Sequence, residues 1–338
     1  MAIACLEKRN QQRPDAQRAT VSFSKNSINI DPPAEAEKIV ARLKRDFVYT
    51  LRKRGAVVGV SGGVDSAVVL ALCAKAFGPE RVLAVMMPEK ESSPENIVLG
   101  KKLIEKLDTE YVVEDITAAL IGFGCYQRRD QAIKEVFPEY DSSCKAMLVL
   151  AHDVLEKDGL NFFHLKIISA TGEKKPVRLL PETCLQIIAA TNFKQRCRMC
   201  MLYHHAERRN YGVAGTANKN ERELGFLVKF GDGGVDLNPI AHLFKTQIYQ
   251  LAEYLDIPRE IRERTPTSDT YGAEQTQEEF FFKMPFAILD RVWQAWEMGV
   301  SEESIVNVLN LTRSQVRNVI QDIQRKHEAT KYLRLATL

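Results

Sequence analysis

Two stretches of the 338-residue chain carry the residue types and spacing that chemistry needs. The first is VSGGVDS at 60–66, which joins a short apolar run to an apolar, helix-like stretch. Such a strand–loop–helix turn gathers backbone N–H groups at one spot, and the helix dipole adds positive potential there, so the turn attracts anions. Gly62 and Gly63 let the backbone wrap a phosphate without a Cβ in the way. Gly59, Val60 and Val64 complete the cradle, and Ser61 and Ser66 add hydroxyl donors. Asp65 is the unexpected member. A carboxylate beside a phosphate is repulsive unless a cation lies between them, so Asp65 implies Mg²⁺. Neither the lysine of a GxxxxGK[ST] loop nor a GxGxxG pattern is present. Two adjacent glycines alone would be an ordinary turn; the whole strand, Ser-Gly-Gly-x-Asp-Ser and helix sequence reads as a binding loop.

The second stretch, TANKNERELGFLVKFGDGGVDLNPIAHLFK at 216–245, follows a short strand. That position lies at the carboxyl edge of a parallel sheet, where open α/β folds bind ligands. Glu221 offers a second carboxylate for the same Mg²⁺, Asp232 sits in a GDGG turn able to face a polar ligand, and Lys245 opens a helix within reach of a phosphate. Each has a plainer reading when taken singly. Lys229 and Lys245 are ordinary surface lysines, and Arg196 and Arg198 lie on a helical face. Asp236 caps a turn, and Glu221 pairs with Arg222 or Lys219.

The elements that must position these residues follow from periodicity. Asp31 caps a helix with Pro32 in its first turn and Ile39, Val40, Leu43, Phe47 and Leu51 on one face. Residues 56–60 and 82–87 read as buried strands, 110–113 as a third and 211–215 as another. Helices are expected over 64–77, 96–107, 193–209 and 244–255. Alternation of this kind implies an α/β fold, a Rossmann-like parallel sheet covered by helices on both faces. The first 30 residues read as a loosely ordered arm preceding one domain, 31–338. Residues 121–191, with two strands around a Gly-Glu turn, read as an insertion within that domain. From about 272 the chain is helical.

Composition narrows the class. With 45% apolar and 27% charged residues the chain suits a globular domain, and a net charge of +3 gives no footprint for nucleic acid or an anionic membrane. The start carries no apolar signal core, and seven cysteines scattered over the chain suit reduced thiols, so a cytoplasmic location is expected.

The SGGVDS loop resembles the pyrophosphate loop of the N-type ATP pyrophosphatases, whose fold is adenine nucleotide alpha-hydrolase-like. The 216–245 block and NFKQRCRM at 192–199 are similar to the NAD synthetase family within that superfamily. The likeness covers about 39–120 and 191–269. It implies ATP-dependent amidation of deamido-NAD through an acyl-adenylate, with release of AMP and pyrophosphate. It assigns Thr216, Lys245, Arg198 and, in RTPTSDT, Thr267 to ATP. Glu221 becomes the second Mg²⁺ ligand, and Arg196, Lys229 and Asp236 fall to deamido-NAD. It further implies a homodimer and a tail with a His-Lys pair, for which this chain offers His327 and Lys331, while the polar loops near 88–94 and 266–277 are candidate lids. About thirty residues before the first helix are too few for a glutamine amidase domain, so free ammonia is the expected nitrogen source, or a separate glutaminase. Met86 and Met87 stand where many members carry an arginine.

Three alternatives share parts of this pattern. The same adenylation can act on a different carboxylate. A tRNA-thiolating enzyme is a second, for which Cys197-x-x-Cys200 with His204 and His205 offers a thiol or zinc site. A third is DNA binding through the helical pair around Asn310-Leu311-Thr312, with Arg313, Arg317 and Arg325.

Overall fold

The computed structural model describes residues 22–141, 143–150, 153–156, 162–169, 172–173, 176–266 and 276–335. The order is α1 Pro32–Lys44, β1 Ala56–Gly59, α2 Val64–Phe77, β2 Val82–Met86, α3 Pro94–Leu107 and β3 Glu110–Val113. Next come α4 Thr117–Gly122, α5 Cys125–Val136, β4 Lys145–Leu150, β5 Phe163–Ser169, β6 Gly172–Glu173, β7 Val177–Arg178 and α6 Pro181–Arg209. The chain ends with β8 Gly212–Ala214, α7 Lys219–Leu224, α8 Lys245–Tyr254, α9 Arg259–Glu263, α10 Phe286–Glu297, α11 Glu302–Leu309 and α12 Arg313–Ala329.

Strands β3, β2, β1 and β8 pair in that order, all parallel, with Ala56 opposite Val82 on one side and Gly212 on the other. Because side chains alternate across a strand, the buried runs feed two cores. Ala56, Val58, Val82, Ala84 and Met86 meet Leu43, Phe47, Leu70 and Leu251 from α1, α2 and α8 and the turn after α1. Val57, Leu83 and Val85 meet Met199, Leu202 and Ala206 of α6. Helices therefore cover both faces, as the sequence predicts, and the carboxyl ends of β1 and β8 open onto the glycine loop and the 216–245 segment.

The arm predicted for 1–30 lies outside the described residues up to 21. From there Phe23 and Ile28 are buried in a second core with Phe282, Phe286, Trp293, Val316 and Ile323. Helices α11 and α12 are packing units of that core, through Ile305, Val316, Val319 and Ile323. Arg313 and Arg317 both pair with Glu302.

The insertion forms its own layer. Strands β4, β5, β6 and β7 make a small antiparallel sheet whose core includes Leu148, Leu165, Ile133, Ile187 and Phe280. Helix α6 begins at Pro181, twelve residues before the predicted start, with proline in its first turn. It continues from the insertion to the main sheet, so one rigid helix of about 44 Å (1.5 Å per residue) links the two.

Candidate active site

The glycine loop leaves β1 and turns at Gly62, whose φ is +77°. A Cβ there would sit 2.9 Å from the Asn96 carbonyl oxygen. Ser66 Oγ donates to the Gly63 carbonyl at 2.9 Å and accepts from Ser61 N at 3.3 Å, which sets the entry into α2. The first-turn amides of a helix have no partner within it, so those of α2 face the space above the loop.

Asp65 stands in that first turn. Asn218 Nδ2 donates to its Oδ1 at 2.9 Å, and the ammonium of Lys245 pairs with Oδ2. Asn218 also caps α7 reciprocally. Its Oδ1 accepts from Glu221 N at 3.0 Å, while its own N–H donates to Glu221 Oε2 at 3.1 Å. Glu221 Oε1 accepts from Gln277 Nε2 at 3.2 Å. Lys245 is buried at the start of α8, where its N–H donates to Asn220 Oδ1 at 2.9 Å. Asn220 Nδ2 donates to Asp290 Oδ1 at 2.6 Å, and Asp290 Oδ2 accepts from Thr246 N at 2.9 Å.

Charge follows from this packing. Burial, and then repulsion from Asp65, push the Glu221 carboxyl up to about 8. Burial works against the charge on Lys245, but Asp65 and Glu221 outweigh it and hold the ammonium protonated. Asp65 and Glu221, hard oxygen donors bridged by Asn218 on one cleft wall, fit Mg²⁺ in donor chemistry.

Asp65, Glu221 and Lys245 share the wall of a cleft of about 580 Å³ with Gly59, Val60, Ser61, Gly63, Val64, Ser66, Thr216 and Arg198. Arg198 Nε donates to the Met87 carbonyl at 3.3 Å. The predicted ATP set therefore converges, Gly62 lying in the loop's backbone, while Thr267 lies outside the described residues. Asp232 also lines the cleft, but its Oδ1 accepts from Val228 N at 2.7 Å, and burial raises its carboxyl to about 6. It holds its own turn.

The predicted substrate residues lie apart from that wall. Arg196 and Lys229 are exposed neighbours, the Arg196 Nε donating to the Lys229 carbonyl at 3.3 Å. Asp236 accepts from Val213 N at 2.8 Å and from Tyr203 Oη at 3.1 Å. On the tail, His327 Nδ1 lies 3.1 Å from the Glu223 carbonyl and Lys331 pairs with Glu328. It is Thr330, Tyr332 and Leu333 that reach the cleft.

Several functional candidates escape sequence reasoning. Arg264 lines the cleft, its Nη1 2.7 Å from Asn96 Oδ1 beside Gly62. Phe163 and Ile188 bring the insertion into the cleft wall, joined by Phe226, Phe280 and Phe281. Of the two candidate lids, 266–277 lies outside the described residues over 267–275, and 88–94 is bonded to neighbouring elements. Its Glu89 and Glu91 are bonded by Lys194, Arg129 and Tyr126. Cys197 packs with Ile116, Leu120 and Tyr126, Cys200 is exposed, and His205 Nε2 lies 2.8 Å from Glu114. Among the described residues no group of three or more His, Cys, Asp or Glu side chains is placed to hold a metal, and no helix is long and apolar enough to cross a membrane.

A glycine loop, a helix N-terminus and an Asp-Glu-Lys cluster at the carboxyl edge of a parallel sheet define a phosphate-binding α/β protein of the doubly wound class. The profile of the NAD synthase family matches residues 35–137 and 128–331. The NH(3)-dependent NAD(+) synthetase of Rhizobium meliloti is 45% identical over 323 residues, covering 96% of each chain. Among solved structures, the NH3-dependent NAD synthetase of Campylobacter jejuni superposes with a TM-score of 0.58 at 23% identity over 91% of this chain and 98% of that one. The NMN synthetase of Francisella tularensis gives 0.57 at 23% identity with the same coverage. The chain belongs to the NAD synthase family.

Proposed function

We propose that the chain is an ammonia-dependent NAD⁺ synthetase. The nicotinate carboxylate of deamido-NAD attacks the α-phosphorus of ATP, giving an acyl-adenylate and pyrophosphate. Ammonia then attacks the acyl carbon and, on losing a proton, leaves the amide, with AMP as the leaving group. A carboxylate lacks an oxygen able to depart, and adenylylation supplies one.

The observation that carries this reading is the meeting of the Ser61–Ser66 loop with Asp65, Glu221 and Lys245 on one cleft wall. The chain's work is positioning and charge compensation. Backbone amides of the loop and of the first turn of α2 bind phosphate oxygens, with Thr216, Arg198 and Arg264 alongside. Lys245 brings a buried positive charge to the phosphates. Asp65 and Glu221 would hold Mg²⁺, which when bound compensates the charge of the departing pyrophosphate. The aromatic wall of Phe163, Phe226, Phe280 and Phe281 keeps water from the adenylate. Arg196, Lys229 and Asp236 bind deamido-NAD beside the cleft, where a second copy of the chain completes the site, so the working unit is a homodimer.

The test incubates the purified chain with Mg-ATP, ammonium and deamido-NAD, following NAD, AMP and pyrophosphate by mass spectrometry, with Asp65→Ala as control. Equal yields of the three products, lost in the variant, support the reading. Turnover with nicotinate mononucleotide but not with the dinucleotide would move the assignment to the shorter substrate. Light scattering during chromatography reads the dimer.

A further inference from the structure

One side chain touches both carboxylates. Asn218 is closed to solvent, its Nδ2 2.9 Å from Asp65 Oδ1, while its Oδ1 and N–H engage the backbone and the Oε2 of Glu221 at 3.0 and 3.1 Å. Asp65 and Asn218 are 153 residues apart, on α2 and at the start of α7. Capping α7 requires only an acceptor oxygen, and serine, threonine or aspartate would serve that end almost as well. What asparagine adds is a donor on the same planar group. The donor is spent on Asp65, and no helix cap calls for it.

We propose that Asn218 is a positioning residue that fixes the carboxylates of Asp65 and Glu221 relative to each other and thereby sets their affinity for a divalent cation. This rests on the reading of Asp65 and Glu221 as cation ligands. One oxygen of each carboxylate bonds to Asn218; the remaining oxygens meet Lys245 and Gln277. Without the amide nitrogen, Asp65 keeps only the flexible lysine, and its rotamer relative to Glu221 is no longer fixed. The proposal separates the two jobs of the residue, capping and tethering, by substitutions that keep the first and remove the second.

The experiment titrates Mn²⁺ alone onto the full chain and follows the signal of free Mn²⁺ by electron paramagnetic resonance. Asn218→Ser and Asn218→Thr both keep a side-chain oxygen that can accept from the Glu221 N–H and so preserve the cap. The expected result is that Mn²⁺ binding weakens by about 10- to 100-fold, as for other groups that orient a metal's ligands, while the melting temperature stays within a few degrees of the parent. Wild-type Mn²⁺ affinity in either folded variant overturns the proposal. If serine does not fold, threonine, which keeps the capping oxygen and lacks the amide nitrogen, decides. Asp65→Asn and Glu221→Gln are run alongside. If these too bind Mn²⁺ like the parent, the cation-ligand reading itself is wrong and the proposal goes with it. If they lose Mn²⁺ and the Asn218 variants do not, only the tether is wrong. In kinetics the tether predicts a higher half-saturating Mg²⁺ with an unchanged KM for deamido-NAD, a split that general loosening of the fold does not give.

Discussion

Lys194 Nζ lies 2.8 Å from Glu89 Oε1 and 2.8 Å from Glu91 Oε2, and the Lys194 and Glu89 side chains are closed to solvent. Buried charges persist only when paired and hydrogen-bonded. Two further partners come from the insertion. Arg129 Nη1 meets Glu91 at 2.7 Å and Tyr126 Oη donates to Glu89 at 2.6 Å. The insertion thus fastens the loop that follows β2, whose Met87 carbonyl in turn accepts from Arg198. The insertion therefore helps to hold a loop that bonds to Arg198 in the cleft wall.

This cluster has a pH signature. Burial works to raise the Glu91 carboxyl, but Arg129 and Lys194 outweigh it and hold it down at about 2. A carboxylate depressed in the folded chain contributes stability that is fully present above its unfolded value of about 4.3 and lost as pH falls toward the folded one. Glu91→Gln should therefore destabilise the chain by on the order of 3 kcal/mol near pH 6. The gap to the parent should close between about pH 4.3 and 2. Urea unfolding at stepped pH measures it, and a gap independent of pH would contradict the ion cluster.

Lys245 should matter for chemistry more than for folding. Its ammonium is directed at Asp65, and α8 is anchored by backbone bonds to Asn220 and Asp290 that a substitution leaves in place. Lys245→Met keeps length and volume while removing the charge. We expect kcat to fall by about 10²- to 10³-fold, the usual loss for one electrostatic donor at developing charge. Pyrophosphate release should fall with NAD formation, since the lysine serves the first step. Loss of NAD with undiminished pyrophosphate release would place it elsewhere.

Arg196 and Lys229 make the opposite prediction. They lie together on an exposed face, outside the wall that carries the phosphate loop. Arg196→Ala should raise the KM for deamido-NAD about tenfold, the worth of one charge-assisted bond of roughly 1.4 kcal/mol, with the KM for ATP little changed. Initial rates with each substrate varied in turn decide it; an equal rise in both would assign Arg196 to the nucleotide.

The parts legible in the sequence are those where local chemistry dictates residue type. Val57, Val58, Val82 and Leu83 sit in runs too apolar for a surface, and Gly62-Gly63 before Asp65 admits few uses. What stayed hidden depends on distant partners. Charged residues such as Glu89 and Lys194 are read as exposed by default; only pairing across 105 residues makes them core. The first turns of α6 contain Thr183, Ile187, Ile188 and Thr191, β-branched residues that argue weakly for a helix. Packing of Cys184 and Ile187 in the insertion core overrides that preference. Asn218 carries no signal in the sequence, because its bond to Asp65 crosses to a helix 153 residues away.

The two glycines of the loop, alike in sequence, should respond differently to alanine. Gly62 has φ +77°, where a Cβ costs roughly 1–2 kcal/mol through its approach to the backbone. That Cβ would also stand 2.9 Å from the Asn96 carbonyl and 3.1 Å from its Cα, backbone atoms that cannot swing aside. Moving Asn96 disturbs Arg264, whose Nη1 bonds to Asn96 Oδ1 at 2.7 Å. Gly63 has φ −93°, ordinary for any residue, and its Cβ would meet only the Ser61 hydroxyl, at 3.4 Å. As the cap of α2 it loses under about 1 kcal/mol on becoming alanine. Gly62→Ala should therefore lower unfolding stability by about 2 kcal/mol or more and raise the KM for ATP at least tenfold. Gly63→Ala should leave stability within about 1 kcal/mol of the parent. Chemical denaturation and ATP titration of the two variants together read the loop's backbone: equal responses would mean that the turn at Gly62 is not the conformation that binds phosphate.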